Sequence, residues 1–133
     1  MITLLVADSD NDSREKIAAL LGQAGYSVTV TDSLASVLND TLKKKAEVII
    51  LGQKCDDVSA VELVPILKRC NKKVPIILVS GDQPLPVMRR VRSEGIFYHA
   101  RKSFDPEARQ ELLEAVRCAI KNMLRGQATC GSY

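Results

Sequence analysis

The run LLVADSDND, residues 4–12, ends an apolar stretch with Asp8, Asp10 and Asp12 on alternate positions. Carboxylates crowded in this way repel one another unless a cation holds them, and oxygen ligands are what a hard divalent ion takes. Other apolar runs also end in groups with chemistry to offer: AEVIIL is followed by Gly52, VPIILV by Ser80, and IFYHA by a loop that begins RKSFD and carries Lys102. Two carboxylates, a hydroxyl and an ammonium gathered in one place would suit a phosphoryl group with magnesium. The carboxylates would hold the ion, and the hydroxyl and the lysine would meet the phosphate oxygens. No glycine-rich phosphate cradle is present, so neither a P-loop nor a dinucleotide fingerprint competes.

Short apolar runs alternate along the chain with segments of helical period. Residues 2–7 read as a first strand, and the helix after it carries Ile17, Leu20, Leu21 and Ala24 on one face. Asp12 with Glu15 makes a capping box for that helix, and Gly25 is placed to end it in a left-handed residue. SVTV, 27–30, is a second strand, and Ser33 caps a helix with Leu34, Val37, Leu38 and Leu42 inward. AEVIIL, 46–51, is a third, fully apolar strand, followed by a helix capped by Ser59 and Glu62, with Leu63, Ile66, Leu67 and Cys70 inward. Pro65 must kink this helix or delay its start. VPIILVS, 74–80, and IFYHA, 96–100, are the fourth and fifth strands, separated by the short helix PLPVMRRVRS. Asp105 and Pro106 open a last helix with Leu112, Leu113, Val116, Ile120 and Met123 inward.

Five strands alternating with five helices predict parallel βαβ units with right-handed crossovers, an α/β three-layer (βα)5 sandwich. Its functional crevice lies beyond the carboxyl ends of the strands, where Asp8, Asp10, Gly52, Ser80 and Lys102 would converge. The reading is of one domain over residues 1–124 and a flexible tail over 125–133.

With 133 residues, 46% of them hydrophobic and 26% charged, the composition is that of a globular domain with a single core. No apolar run approaches the roughly 20 residues of a spanning helix, and no basic region precedes the first apolar stretch as in a secretory leader. A cytoplasmic protein without a membrane partner is expected. Cys55, Cys70, Cys118 and Cys130 form no C-x-x-C pair, and the chain has one histidine, so they read as free thiols. Cys55 falls in a loop, and Cys70 and Cys118 on apolar helix faces. A net charge of +3 does not argue for nucleic acid, and KKK at 43–45 and RRVR at 89–92 read as solvated helix surface.

LLVADSD, VIILGQK, VPIILVSG and EGIFYHARKSF, in this order, resemble the response-regulator receiver domain, and the resemblance runs from Ile2 to Met123. It implies a flavodoxin-like fold with strand order 2-1-3-4-5. It also implies an acidic magnesium pocket after the first strand, a phosphoacceptor aspartate after the third, and a Ser or Thr and a Lys that sense the phosphoryl group. Asp8 takes an acidic-pocket position, Ser80 the hydroxyl and Lys102 the lysine. The rest departs from the pattern. Gly52 stands where the acceptor aspartate would be, Ser9 where the second acidic residue would be, and Ser103 replaces the usual proline. His99 takes the place of a switch aromatic, with Tyr98 beside it.

The resemblance therefore implies a degenerate receiver, a stand-alone signalling module of two-component phosphorelay type that works by protein contacts and is not an enzyme. Asp56 and Asp57 follow in a loop that should project away from the pocket, so neither is expected to replace the acceptor, and phosphorylation of either is left open. Magnesium on Asp8 and Asp10 alone would be weakly held, so no cofactor is expected. A metal-independent ion pair from Lys102 to Asp8 is expected instead, with Lys54 as a second candidate cation, locking one conformation. Gly52 would leave room for a small ligand, and an aspartate restored at 52 would return some response. Arg89, Arg90, Arg92, Tyr98 and Arg101 would gather on the face that receivers turn to partners, and Arg with Tyr suits an acidic protein. A dimer is left open.

A second class of function competes. An apolar strand followed by D-x-D also resembles the haloacid-dehalogenase phosphohydrolases, which would make Asp8 the nucleophile and Asp10 the acid or base of a magnesium-dependent enzyme. The chain is short for that family, and no acidic pair after Lys102 supplies the remaining metal ligands.

Overall fold

The computed structural model describes residues 2–81 and 83–124. Its elements run β1 (Thr3–Ala7), α1 (Asn11–Gln23), β2 (Ser27–Thr31), α2 (Leu34–Leu42), β3 (Val48–Leu51), β4 (Lys54–Cys55), β5 (Val58–Ser59), α3 (Ala60–Cys70), β6 (Ile76–Ser80), α4 (Leu85–Glu94), β7 (Tyr98–Arg101) and α5 (Pro106–Leu124). The main sheet is parallel, in the order β2-β1-β3-β6-β7. With β6 and β7 as the fourth and fifth long strands, this is the expected 2-1-3-4-5 arrangement of a flavodoxin-like (βα)5 sandwich. The expected tail, with Cys130, lies outside the described residues.

The three central strands are apolar on both faces because helices cover both. Leu5, Ile49, Leu51, Ile76 and Leu78 pack with Leu63, Leu67 and Val91 from the α3 and α4 side. Leu4, Val6, Ile50 and Ile77 pack with Ile17, Leu21, Val116 and Ile120 of α1 and α5. Each such side chain withdrawn from water contributes roughly 1.5–3 kcal/mol, enough in sum to hold five strand ends in register and so to fix the crevice.

Local signals decide most element ends. Gly25 has φ +101° just beyond α1, a torsion that favours glycine. Ser33 Oγ accepts the Ser36 N–H at 3.4 Å, and Asp105 Oδ1 accepts the Ala108 N–H at 2.7 Å. Other expectations need correction. Asp10, not Asp12, caps α1: its Oδ1 accepts the N–H groups of Asp12 at 3.1 Å and Ser13 at 3.3 Å. Asp12 lies in the exposed first turn and pairs with Lys16 at 3.1 Å. On α2, Thr41 is buried where Leu42 was expected, because its hydroxyl turns back to the Val37 carbonyl at 2.7 Å; Leu42 is 63% exposed. Pro65 lies inside α3 without delaying its start at Ala60. Ile66 is exposed, and the inward face is Ala60, Leu63, Val64 and Leu67. Cys118 is exposed, and Cys55 is buried in β4.

Candidate functional site

Four strand-to-helix loops meet at the carboxyl edge of the sheet, and the residues read there do come together. Asp8 directly follows β1, is only 3% exposed, and accepts the Asp10 N–H on Oδ1 at 3.0 Å. Burial raises its pKa above the ordinary value, against the Asp10 N–H, nearby Ser13 and the charge of Lys102. The Ser13 hydroxyl favours the carboxylate although it is buried without a partner at hydrogen-bond geometry.

Gly52, one residue beyond β3, explains where that carboxylate goes. A Cβ built on Gly52 would lie 2.2 Å from Asp8 Cγ and 2.3 Å from Asp8 Oδ2. No vacancy lies beside Gly52, because the Asp8 carboxylate fills the place where a side chain there would begin. The room expected at Gly52 for a small ligand is filled. A cavity of about 100 Å³ does lie nearby, against Ser59, Ala60, Leu78, Ser80, Val87 and Val91, and its wall is mostly apolar.

The lysine pairs with the other aspartate. Lys102 Nζ donates to Asp10 Oδ2 at 2.9 Å, in place of the expected contact with Asp8. Capping α1 turns the Asp10 side chain out of the strand direction toward the β7–α5 loop, whereas Asp8 stays within the sheet edge. The bond to Lys102 holds Asp10 below the usual carboxylate range and raises Lys102. Lys54 makes no ion pair with either aspartate among the described residues.

Ser9 faces the other way. Its N–H donates to the Lys54 carbonyl at 2.9 Å, and its hydroxyl lies 3.0 Å from that carbonyl and 3.2 Å from the carbonyl of Asp56. It anchors the β4–β5 hairpin, which sequence periodicity missed because each strand is two residues long. Asp56, at φ +54°, accepts the Leu34 N–H on Oδ2 at 2.6 Å and so serves the start of α2. Asp57 is exposed at the hairpin turn. The same hairpin buries Cys55, whose thiol is pushed up to about 11 by desolvation, with Asp56 adding to the shift.

Ser80, 2% exposed, lies 2.8 Å through Oγ from His99 Nε2 and 3.2 Å from the Gly81 carbonyl. The two strands are in register with Leu78 opposite His99 and Ser80 opposite Arg101. The Lys102 N–H donates to the Ser80 carbonyl at 2.9 Å, which fixes the lysine backbone to β6.

Arg89, Arg92, Tyr98 and Arg101 are all exposed on α4 and β7. Tyr98 donates to Glu111 Oε2 at 2.7 Å, and Arg101 approaches Glu111 at 3.9 Å and Asp105 at 3.8 Å. That hydrogen bond raises the Tyr98 phenol. Glu111 carries no signal in the sequence that ties it to this face; only the packing of α5 beside β7 brings it there.

A parallel flavodoxin-like sandwich, with acid, hydroxyl and lysine at the carboxyl edge of its sheet, defines the class as a receiver-type α/β domain. The family model described as "Response regulator receiver domain" matches residues 4–117, and the chain belongs to that family. It is 29% identical over 118 residues to the response regulator protein TodT of Pseudomonas putida, covering 89% of this chain and 51% of that protein. It is 26% identical over 103 residues to the DNA-binding transcriptional regulator NtrC of a Bradyrhizobium, covering 77% of this chain and 22% of that protein. The chain thus spans about half or less of these relatives' length. Among solved structures, a CheY-like receiver domain protein of Methanospirillum hungatei superposes with TM-score 0.84 at 17% identity, covering 95% of this chain and 98% of that one. A receiver domain protein of Clostridium thermocellum superposes with TM-score 0.81 at 22% identity, covering 92% and 97%. No helix among the described residues is long and apolar enough to cross a membrane.

Proposed function

We propose that this chain is a pseudo-receiver: a signalling module of two-component type that acts through protein contacts and takes no phosphoryl group at position 52. One observation carries the reading, the Asp8 carboxylate lying within 2.6 Å of a Cβ at Gly52 by all three of its outer atoms. An acceptor needs a carboxylate at that point, and the space is already filled by another.

The donor set also fits magnesium poorly. One oxygen of Asp10 caps α1 and the other holds an ammonium. Asp8 is turned against Gly52, and the described residues contain no group of three metal-ligating side chains. The Lys102–Asp10 pair takes the part that a metal and a phosphoryl group would otherwise share, holding the β1–α1 and β7–α5 loops together. Arg89, Arg92 and Arg101, with Tyr98, suit an acidic partner protein in the cytoplasm. Kinship with TodT and NtrC favours a signalling pathway that ends in transcription. The phosphohydrolase alternative gains no support: the family match is to receivers, and the second aspartate it needs as acid or base is bound to Lys102.

The test is exposure of the chain to acetyl phosphate, and separately to beryllofluoride, each with magnesium, followed by intact mass and amide NMR. Unchanged mass and unchanged amides at Asp8, Gly52, Ser80 and Lys102 are expected. A gain of one phosphoryl group, or shifts spreading from those residues, would overturn the reading.

A further inference from the structure

Among the described residues β2 closes one end of the sheet and pairs on one side only. The Ser27 N–H donates to the Ile2 carbonyl at 2.9 Å, and the Thr31 carbonyl accepts the Asp8 N–H at 3.1 Å. Ser27, Thr29 and Thr31 therefore turn their main-chain groups toward β1, and by the alternation of the ladder Val28 and Val30 turn theirs outward. Such an edge is a template for another strand unless lysine, proline or a bulge blunts it. Ser27–Thr31, SVTVT, has no charge and no proline, and its register with β1 is unbroken. Val30 is 47% exposed.

The order of these side chains is nearly a palindrome. Two copies laid antiparallel about Thr29 set Val28 against Val30 of the second copy, Val30 against Val28, and Ser27 against Thr31. The free main-chain groups require the same parity. With the axis at Thr29, both valine pairs become hydrogen-bonded pairs, and Thr29 meets its own counterpart as a non-hydrogen-bonded pair. The other registers of that parity nearest to it centre on Val28 or Val30, and they set Val30 against Tyr26 or Val28 against Asp32. Of these, only the axis at Thr29 matches both valines with valine on one face while the other face sets hydroxyl against hydroxyl, a pairing that stabilises antiparallel strands.

We propose that this chain self-associates through β2, two copies pairing antiparallel about Thr29 so that one sheet runs through both. A foreign strand would need no such internal symmetry, which is why the second copy is the occupant. Val28 already packs against the α1 and α5 layer, and Val30 lies on that same face. An edge of five residues falls below the roughly 1,000 Å² of a lasting interface, so the dimer is weak and depends on concentration.

Amide exchange of the full chain, followed by NMR at low and at about fifty-fold higher concentration, tests it. The Val28 and Val30 amides are expected to slow at least about ten-fold at the higher concentration, while Thr29, bonded to β1, does not change. Thr29→Lys, at an exposed position, sets two ammonium groups together on the axis and should remove the effect with the circular dichroism spectrum intact. In a chain with Cys70, Cys118 and Cys130 replaced by serine, Thr29→Cys should form an intermolecular disulfide, because a non-hydrogen-bonded pair brings Cα atoms to about 4.5 Å. Leu42→Cys, at another exposed site, should not. Exchange at Val28 and Val30 that ignores concentration would overturn the proposal. So would a dimer that survives Thr29→Lys, or protection that arises only when a different protein is added.

Discussion

The Asp8 carboxylate occupies the place where any side chain on residue 52 would begin, with Asp8 Cγ 2.2 Å from a Cβ built on Gly52. The glycine is not there for its torsion angles, since Gly52 is absent from the residues of positive φ. It is required by close approach. An aspartate placed at 52 would meet the Asp8 carboxylate at once.

Gly52→Ala should therefore destabilise the fold by about 1–3 kcal/mol, as overpacking does. Asp8→Ala in the same chain should return much of that loss, and a double-mutant cycle by urea unfolding reads the coupling. Additive effects of the two changes would refute the contact. Gly52→Asp alone should stay unmodified by acetyl phosphate.

The Lys102–Asp10 pair has a definite dependence on pH. Asp10 titrates below its ordinary 3.8 in the folded chain because Lys102 binds the ionised form. It thus contributes stability above the unfolded pKa, and that contribution is lost as pH falls through the lower folded value. Lys102→Met should lower Tm at pH 6 and narrow the difference from the parent chain as pH falls below 3.8. Thermal melts across that range measure it, and a gap that stays constant would show the pair to be inert.

Ser9 holds the β4–β5 hairpin by donating to carbonyl oxygens, which a carboxylate cannot do. Ser9→Asp, which would restore the acidic residue that the family pattern places there, should cost about 1–2 kcal/mol. It should also speed amide exchange at Ala60, whose N–H donates to the Gln53 carbonyl at 2.9 Å. Unaltered exchange there would mean the hairpin stands without Ser9.

Tyr98 should deprotonate later than an ordinary tyrosine. Glu111 accepts its hydroxyl proton and repels the phenolate, both of which raise the pKa. Glu111→Gln should move the Tyr98 titration to lower pH, as followed by ring NMR shifts, and free the phenol for a partner on that face. No movement would detach Tyr98 from Glu111.

The sequence by itself determined the alternation of strands and helices, the parallel βαβ connections that follow from it, and which residues stand at the strand ends, while the strand order came from the resemblance to receivers. These rest on short-range physics: the two periodicities of buried side chains, glycine at a left-handed cap, serine and aspartate at helix starts. Tertiary structure decided which of two aspartates binds Lys102 and which turns to Gly52. That choice follows from Asp10 capping α1, and residue spacing favours Asp8 and Asp10 equally. It also decided that Ser9 anchors the β4–β5 hairpin and Asp56 serves the start of α2, that Thr41 and not Leu42 is buried, and that Glu111 reaches Tyr98. Each of these is a contact between elements or a hydroxyl's choice of carbonyl, set by where the packed helices leave a donor beside an acceptor.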